Sequence, residues 1–137
     1  IFTGRVPHHE VEDYYSIVDI VPFPRKGLLV CEMVSALKPF EAMAMGKCIL
    51  ASNVAAMQEF IHDGVNGFLF QKDDHGSLSR ALTDMMRQPD LVREVGQSAR
   101  KWVVRERDWS QISKRIAGVY EHVLEARGAD FSRRQAS

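Results

Sequence analysis

The sequence lacks most of the motifs that announce a function directly. None of its apolar runs approaches the roughly twenty residues needed to span a bilayer. It carries no H-x-x-x-H pair for zinc, no G-x-G-x-x-G, no G-x-x-x-x-G-K-[ST] and no G-x-S-x-G. A transmembrane span, a zincin, a dinucleotide fingerprint, a P-loop and a nucleophile elbow therefore have no support. Of the two cysteines, Cys31 and Cys48, neither belongs to a metal-ligand spacing. Both lie in apolar stretches and are expected to be buried free thiols of a reducing compartment. His8 and His9 are adjacent, point in different directions and make a poor ligand pair, so no metal is expected. An excess of either charge is also missing, since 18 basic side chains balance 18 acidic ones. That balance gives no electrostatic case for a nucleic-acid partner, and Arg133-Arg134 reads as solvated charge. No signal peptide is visible, and a cytoplasmic location is expected. The first residues, Ile1-Phe2-Thr3-Gly4, read as a strand and not as a natural start, so the chain is expected to be a piece of a longer protein.

What is present is ordinary globular material. The 137 residues are 45% hydrophobic and 26% charged, which suits one domain with one core. The pattern predicts a strand over Ile1–Thr3, a short helix over His9–Ser16 and a buried strand over Ile17–Phe23 that Pro22 and Pro24 stop. Arg25–Leu37 is read as a loop. A helix follows with Pro39 in its first turn, and Gly46 ends it. Lys47–Ser52 reads as a strand and Ala55–His62 as a helix. Asn66-Gly67 reads as a turn and Phe68–Phe70 as a strand. Three helical stripes follow. They are Leu78, Leu82, Met85 and Met86; then Leu91, Val95, Trp102 and Val103; then Ile112, Ile116, Val119 and Val123. The methionines and both tryptophans are expected to fill the core. Residues 1-127 are read as one domain and residues 128-137 as a frayed tail. Buried strands alternating with helices predict an α/β domain, a parallel sheet with flanking helices.

Ligands of open parallel sheets bind outside the carboxyl ends of the strands. Three segments meet that condition: Gly4–Pro7, Pro24–Lys38 and Ser52–Ala55. The middle one leads into the helix that begins near Pro39, whose amino end offers free N–H groups suited to a phosphate. Lys38 adds a full positive charge there, an unfavourable place for a cation unless an anion is near. Glu41 in the first turn either complements the helix dipole or accepts hydrogen bonds from ribose hydroxyls. The residues alone leave both readings open. A hydrolase pair formed by Glu32 and Glu41 is disfavoured, because a parallel sheet puts Glu41 on a helix facing a phosphate pocket.

Pro39-Phe40-Glu41-Ala42-Met43-Ala44-Met45-Gly46-Lys47, continued by Cys48–Ser52, resembles the "EAMA-x-G-x-PVVAS" segment of retaining glycosyltransferases of the GT-B fold, the large family 4 type. Phe2–Val6 resembles that family's "F-x-G-x-V", Tyr14–Ile20 its "LY-x-x-ADV", and Glu59–Phe70 its "E-I-V-x-DG-x-NG-x-L-V". The four blocks stand in the family's order across roughly residues 1 to 123. The resemblance implies part of a Rossmann-like C-terminal domain that binds a nucleotide diphosphate sugar as substrate, with no cofactor. By that resemblance Glu41 is the second Glu of a Glu-x7-Glu motif and holds the ribose. Ala36, Leu37 and Lys38 lie at the diphosphate, with Ser35, Val6 and Pro7 also at the donor. Met33 occupies the first Glu position, and neighbouring Glu32 is the candidate for the sugar-facing, catalytic role. The implied partners are the sugar-nucleotide donor and an N-terminal acceptor domain of the same protein, with peripheral membrane contact of the whole. Two rivals remain: a GT-B sugar-nucleotide epimerase and a non-catalytic partner subunit.

Overall fold

The computed structural model describes residues 2–135, with side chains as far as 125. Three strands form one parallel sheet in the order β1-β2-β3: β1 is Ile20–Phe23, β2 is Cys48–Ser52 and β3 is Phe68–Phe70. Ile20 stands opposite Cys48 and Phe23 opposite Ala51, while Leu50 stands opposite Phe68. The helices are α1 (Val11–Ser16, preceded by a 3-10 turn at His8–Glu10), α2 (Leu29–Met33), α3 (Lys38–Ala44), α4 (Ala55–Gln58), α5 (His75–Met86), α6 (Pro89–Arg107) and α7 (Trp109–Gln135).

Strand β2 explains the two-layered core. All five of its residues are buried, and alternate side chains serve opposite faces of the sheet. Ile49 and Ala51 join Ala42, Met43, Met57, Phe60, Ala99 and Val103 on one side. Cys48 and Leu50 join Phe70, Met85, Val92 and Val95 on the other. A central parallel strand covered on both faces needs an apolar run without alternation, and Cys-Ile-Leu-Ala is that.

Helix α3 is held to this core by Ala42 and Met43, both fully buried. Phe40 adds an aromatic contact, its ring centroid 4.5 Å from that of Phe60 and 6.5 Å from that of Trp102. Gly46 then stops the helix at φ 71, a left-handed geometry that glycine adopts without steric cost. Helix α6 crosses that turn closely, and a Cβ on Gly96 would fall 2.4 Å from the Gly46 carbonyl oxygen. The turn before β3 is tied from inside by Asn66. Its side chain accepts the His62 amide hydrogen at 2.7 Å and donates to the Phe60 carbonyl at 2.9 Å.

Several expectations are corrected. Phe2 and Thr3 pair with no strand and Phe2 is fully exposed, so no core contact recruits them; Ile1 lies outside the described residues. The first strand starts at Ile20 and not Ile17, which is exposed. The segment read as a loop contains α2, and the predicted helix over Ala55–His62 stops at Gln58. Met33 and Met86 are exposed and fill no core. Trp102 packs as expected, but Trp109 is exposed.

By their contacts the residues divide into Ile1–Val104 and Arg105–Ser137. Helix α5 and most of α6 belong to the first unit and bury Met85, Val92, Val95 and Val103. In the second unit, Asp108 caps α7 by accepting from the Ser110 amide at 2.8 Å. Ile116, Val119 and Val123, predicted as an apolar stripe, are exposed along that helix. Its backbone runs on to Gln135, and the side chains of the predicted tail lie outside the described residues. No helix among the described residues is long and apolar enough to cross a membrane.

Candidate donor site

The carboxyl ends of the three strands lead into Pro24–Lys26, Asn53-Val54 and Gln71–Asp74. Short α3 follows the first of these segments, with Lys38 as its first residue and Pro39 buried behind it. Proline at the second helical position forfeits no hydrogen bond, because amides of the first turn have no partner within the helix. Ser35, Leu37 and Lys38 are exposed and Ala36 is half-buried. The amides of these four residues donate to no acceptor among the described residues. Seven residues make a weak dipole, to which the Lys38 ammonium adds a full positive charge.

Glu41 lies one turn further along the same helix, with its side chain exposed. It opens on a cleft of about 320 Å³ whose walls include His8, His9, Val11, Tyr15 and Met45. Partial burial holds the Tyr15 phenol above its ordinary range, and the Glu41 charge pushes it the same way. Val6 and Pro7 lead into this wall, where the Pro7 carbonyl accepts from the Glu10 amide at 3.1 Å. A cleft of about 340 Å³ also lies at the opposite end of β1, between Asp19 and Met85. Size therefore does not select the site; the convergence of Lys38, Glu41 and the undonated amides does.

Glu32, the residue expected to face the sugar, has partners on both of its oxygens. It lies on α2, and its carboxylate does not stand open. One oxygen accepts the Ala55 amide hydrogen at 2.7 Å, and the other pairs with the Lys72 ammonium. Val54 precedes α4 and has no side-chain oxygen to cap it, so Glu32 caps that helix from a distance. The bond from Lys72, then the one from Ala55, hold the Glu32 carboxyl below the usual carboxylate range. Met33, at the first motif position, is exposed.

Four polar residues at this edge were not singled out in the sequence as site residues. Arg25 donates through Nη1 to the Val34 carbonyl at 2.5 Å, and its amide donates to Ser52 Oγ at 3.0 Å. Asn53 Oδ1 accepts the Lys72 amide hydrogen at 2.8 Å, and Asp73 Oδ2 accepts that of Gly27 at 3.0 Å. These partners come from different loops; Arg25, Ser52 and Asn53 lie in segments that the strand order already placed at the carboxyl edge, whereas the signal for Asp73 is only the turn chemistry of Asp73-Asp74. Among the described residues, no three His, Cys, Asp or Glu side chains are grouped to hold a metal ion. Both cysteines are free; Cys48 is buried as expected, whereas Cys31 is only partly so.

Comparison with known proteins bears on the fold and the family. Among solved structures, sucrose-phosphate synthase from Thermosynechococcus elongatus superposes with a TM-score of 0.78 at 24% identity, over 92% of this chain and 30% of that one. The Anabaena protein HepE, solved in complex with UDP, superposes with a TM-score of 0.73 at 19% identity, over 80% of this chain and 29% of that one. In sequence, a phosphatidyl-myo-inositol mannosyltransferase of Mycobacterium leprae is 37% identical over 83 residues, 61% of this chain and 22% of that relative. The chain thus spans well under half the length of the relatives it matches. Its fold is that of GT-B glycosyltransferases, and the family description "Glycosyl transferases group 1" matches residues 1–102. The chain belongs to the group 1 glycosyl transferases.

Proposed function

We propose that the full-length protein transfers a glycosyl group from a nucleoside diphosphate sugar, with retention at the anomeric carbon, and that this chain forms part of the donor site. The observation that carries the reading is the shared edge of α3. There Lys38 and the exposed Glu41 carboxylate stand one helical turn apart, and the undonated amides from Ser35 to Leu37 lie just before the helix. In this reading Lys38 and the amides meet the diphosphate, and Glu41 accepts hydrogen bonds from the ribose hydroxyls. The base lies toward the cleft behind Val6 and Pro7. The bond from the anomeric carbon to the β-phosphate oxygen breaks, and its electron pair leaves on the diphosphate. Lys38 stabilises that growing charge. No cofactor is called for. An N-terminal domain of the same protein supplies the acceptor, and closure of the two domains brings the reactants together. The donor is a hexosyl nucleotide, the protein works in the cytoplasm and its contact with membrane is peripheral.

A second reading has one observation in its favour. Methionine fills the first motif position and both oxygens of Glu32 are occupied, which fits a partner subunit without turnover. The test is titration of UDP, GDP and ADP, and of their sugar conjugates, into the full-length protein. One diphosphate is expected to bind and Glu41→Ala to weaken it. Binding without transfer to any acceptor favours the partner subunit, and absence of binding removes the donor site.

A further inference from the structure

Residues 25–37 join β1 to α3 and deliver Lys38 to its place. Apolar burial does little to hold them. Helix α2 has no buried residue, and Leu29, Val30, Met33, Val34 and Leu37 are all exposed. A segment with so few buried contacts takes its geometry from its polar ties. Besides the Arg25 amide, which donates to Ser52 Oγ at 3.0 Å, three ties exist, and two of them run to the same short turn after β3. Gly27 donates its amide to Asp73 at 3.0 Å, and Glu32 pairs with Lys72 while capping α4 through Ala55. The third is internal, from the Arg25 guanidinium to the Val34 carbonyl.

The turn is shaped for this contact. Asp73 has φ 60, which makes it the one non-glycine residue in the left-handed region among the described residues. The loops approach so closely that a Cβ on Gly27 would fall 2.6 Å from Asp73 Oδ2. Glu32 and Lys72 are only partly exposed, at 23% and 34% of their side chains, so solvent screens their attraction less than on an open surface. A carboxylate that acts on a sugar needs an oxygen open to it, and each oxygen of Glu32 already has a donor.

We propose that Glu32 and Lys72 are positioning residues: their ion pair clamps α2 against the turn after β3, which fixes the following segment Val34–Leu37 and so Lys38, and Glu32 takes no part in bond-making. This rests on the donor-site reading above. The clamp acts on α2 and the loop, leaving the core that holds α3 untouched.

The experiment uses the full-length protein and the variants Glu32→Gln, Lys72→Met, Lys72→Arg and the Glu32→Gln/Lys72→Met double. Two quantities are measured, hydrogen exchange at the hydrogen-bonded amides of Gly27, Cys31, Glu32 and Val34 and the Kd for UDP, GDP and ADP. Exchange is expected to rise by about tenfold in both single neutral variants, and Kd by a similar factor, the scale of a lost supporting partner. The double is expected to be no worse than either single, and Lys72→Arg to stay close to wild type. Wild-type exchange and Kd in Lys72→Met overturn the clamp. So does a Glu32→Gln variant that loses turnover at unchanged Kd while Lys72→Met keeps it, because that is the behaviour of a catalytic carboxylate. If wild type binds none of the three nucleotides, the donor-site reading falls. Exchange still decides the clamp: a rise in Lys72→Met upholds the tie on the segment, and no rise overturns it.

Discussion

The Glu32 carboxylate accepts the amide hydrogen of Ala55 across 2.7 Å, joining positions 23 residues apart. With the Lys72 ammonium on its other oxygen, it links α2, the start of α4 and the turn after β3. Its folded carboxyl is held below the usual carboxylate range, chiefly by Lys72 and then by Ala55. A depressed carboxyl contributes stability above its unfolded value and loses it as pH falls through the folded one. Glu32→Gln should therefore lower unfolding free energy at pH 7, and the gap to wild type should close on acidification through and below the usual carboxylate range. Urea unfolding across that range checks the direction.

Lys38 and Glu41 should differ in how they fail. A hydrogen bond to a charged group contributes about 1.5–3 kcal/mol, so Glu41→Ala should raise the Kd of the bound nucleoside diphosphate by about ten- to a hundredfold. Lys38→Met should weaken binding and also flatten its dependence on salt, since it removes a full charge. Calorimetry at two ionic strengths separates the two effects.

Asn66 is buried and satisfies two backbone groups at once. Asn66→Ala leaves the Phe60 carbonyl and the His62 amide without their partner, which should cost roughly 2 kcal/mol. A fall in Tm of roughly 10 °C is expected for the unit that contains it. A thermal scan tests this without any ligand.

Two glycines on neighbouring helices should respond oppositely to alanine. In a helix interior the change favours folding by about 1 kcal/mol. At Gly118 on α7 nothing lies within 4 Å of the added Cβ, so that gain should appear. At Gly96 the Cβ meets the Gly46 carbonyl oxygen at 2.4 Å and the Cys48 nitrogen at 3.2 Å. Overpacking against backbone costs about 1–3 kcal/mol and should outweigh the gain. Denaturant midpoints of the two variants compare them.

Burial pushes the Cys48 thiol up to about 12. Its thiolate is scarce at pH 8, and a thiol-specific reagent should leave it unmodified in the folded protein. Cys31, partly exposed, should react first. Counting modified thiols before and after denaturation gives the result directly.

Much of the fold was legible because it is written in local chemistry. Cys-Ile-Leu-Ala had to be a strand covered on both faces, and Gly46 had to end the helix that Pro39 opens. Phe68–Phe70 is the predicted strand without change. The helix that carries Lys38 and Glu41 followed from Pro39 at its start and Gly46 at its end. Where local reasoning failed, burial decided otherwise. Ile17 is apolar yet sits in the turn before β1, and the stripe of Ile116, Val119 and Val123 is exposed despite its regular period. Periodicity states which residues share a face, not whether anything covers it.

By itself the sequence determined the parallel α/β order, the helix that carries Lys38 and Glu41, and the resemblance that led to the glycosyl transferase family. Only the tertiary structure decided which partners Glu32 has. Its partners Ala55 and Lys72 lie 23 and 40 positions away, and no period or spacing encodes a contact at that range. The same holds for Arg25 on Val34 and Asp73 on Gly27. A strand or a helix is fixed by residues two to four apart, whereas a carboxylate takes whichever donors the folded loops bring within hydrogen-bond distance.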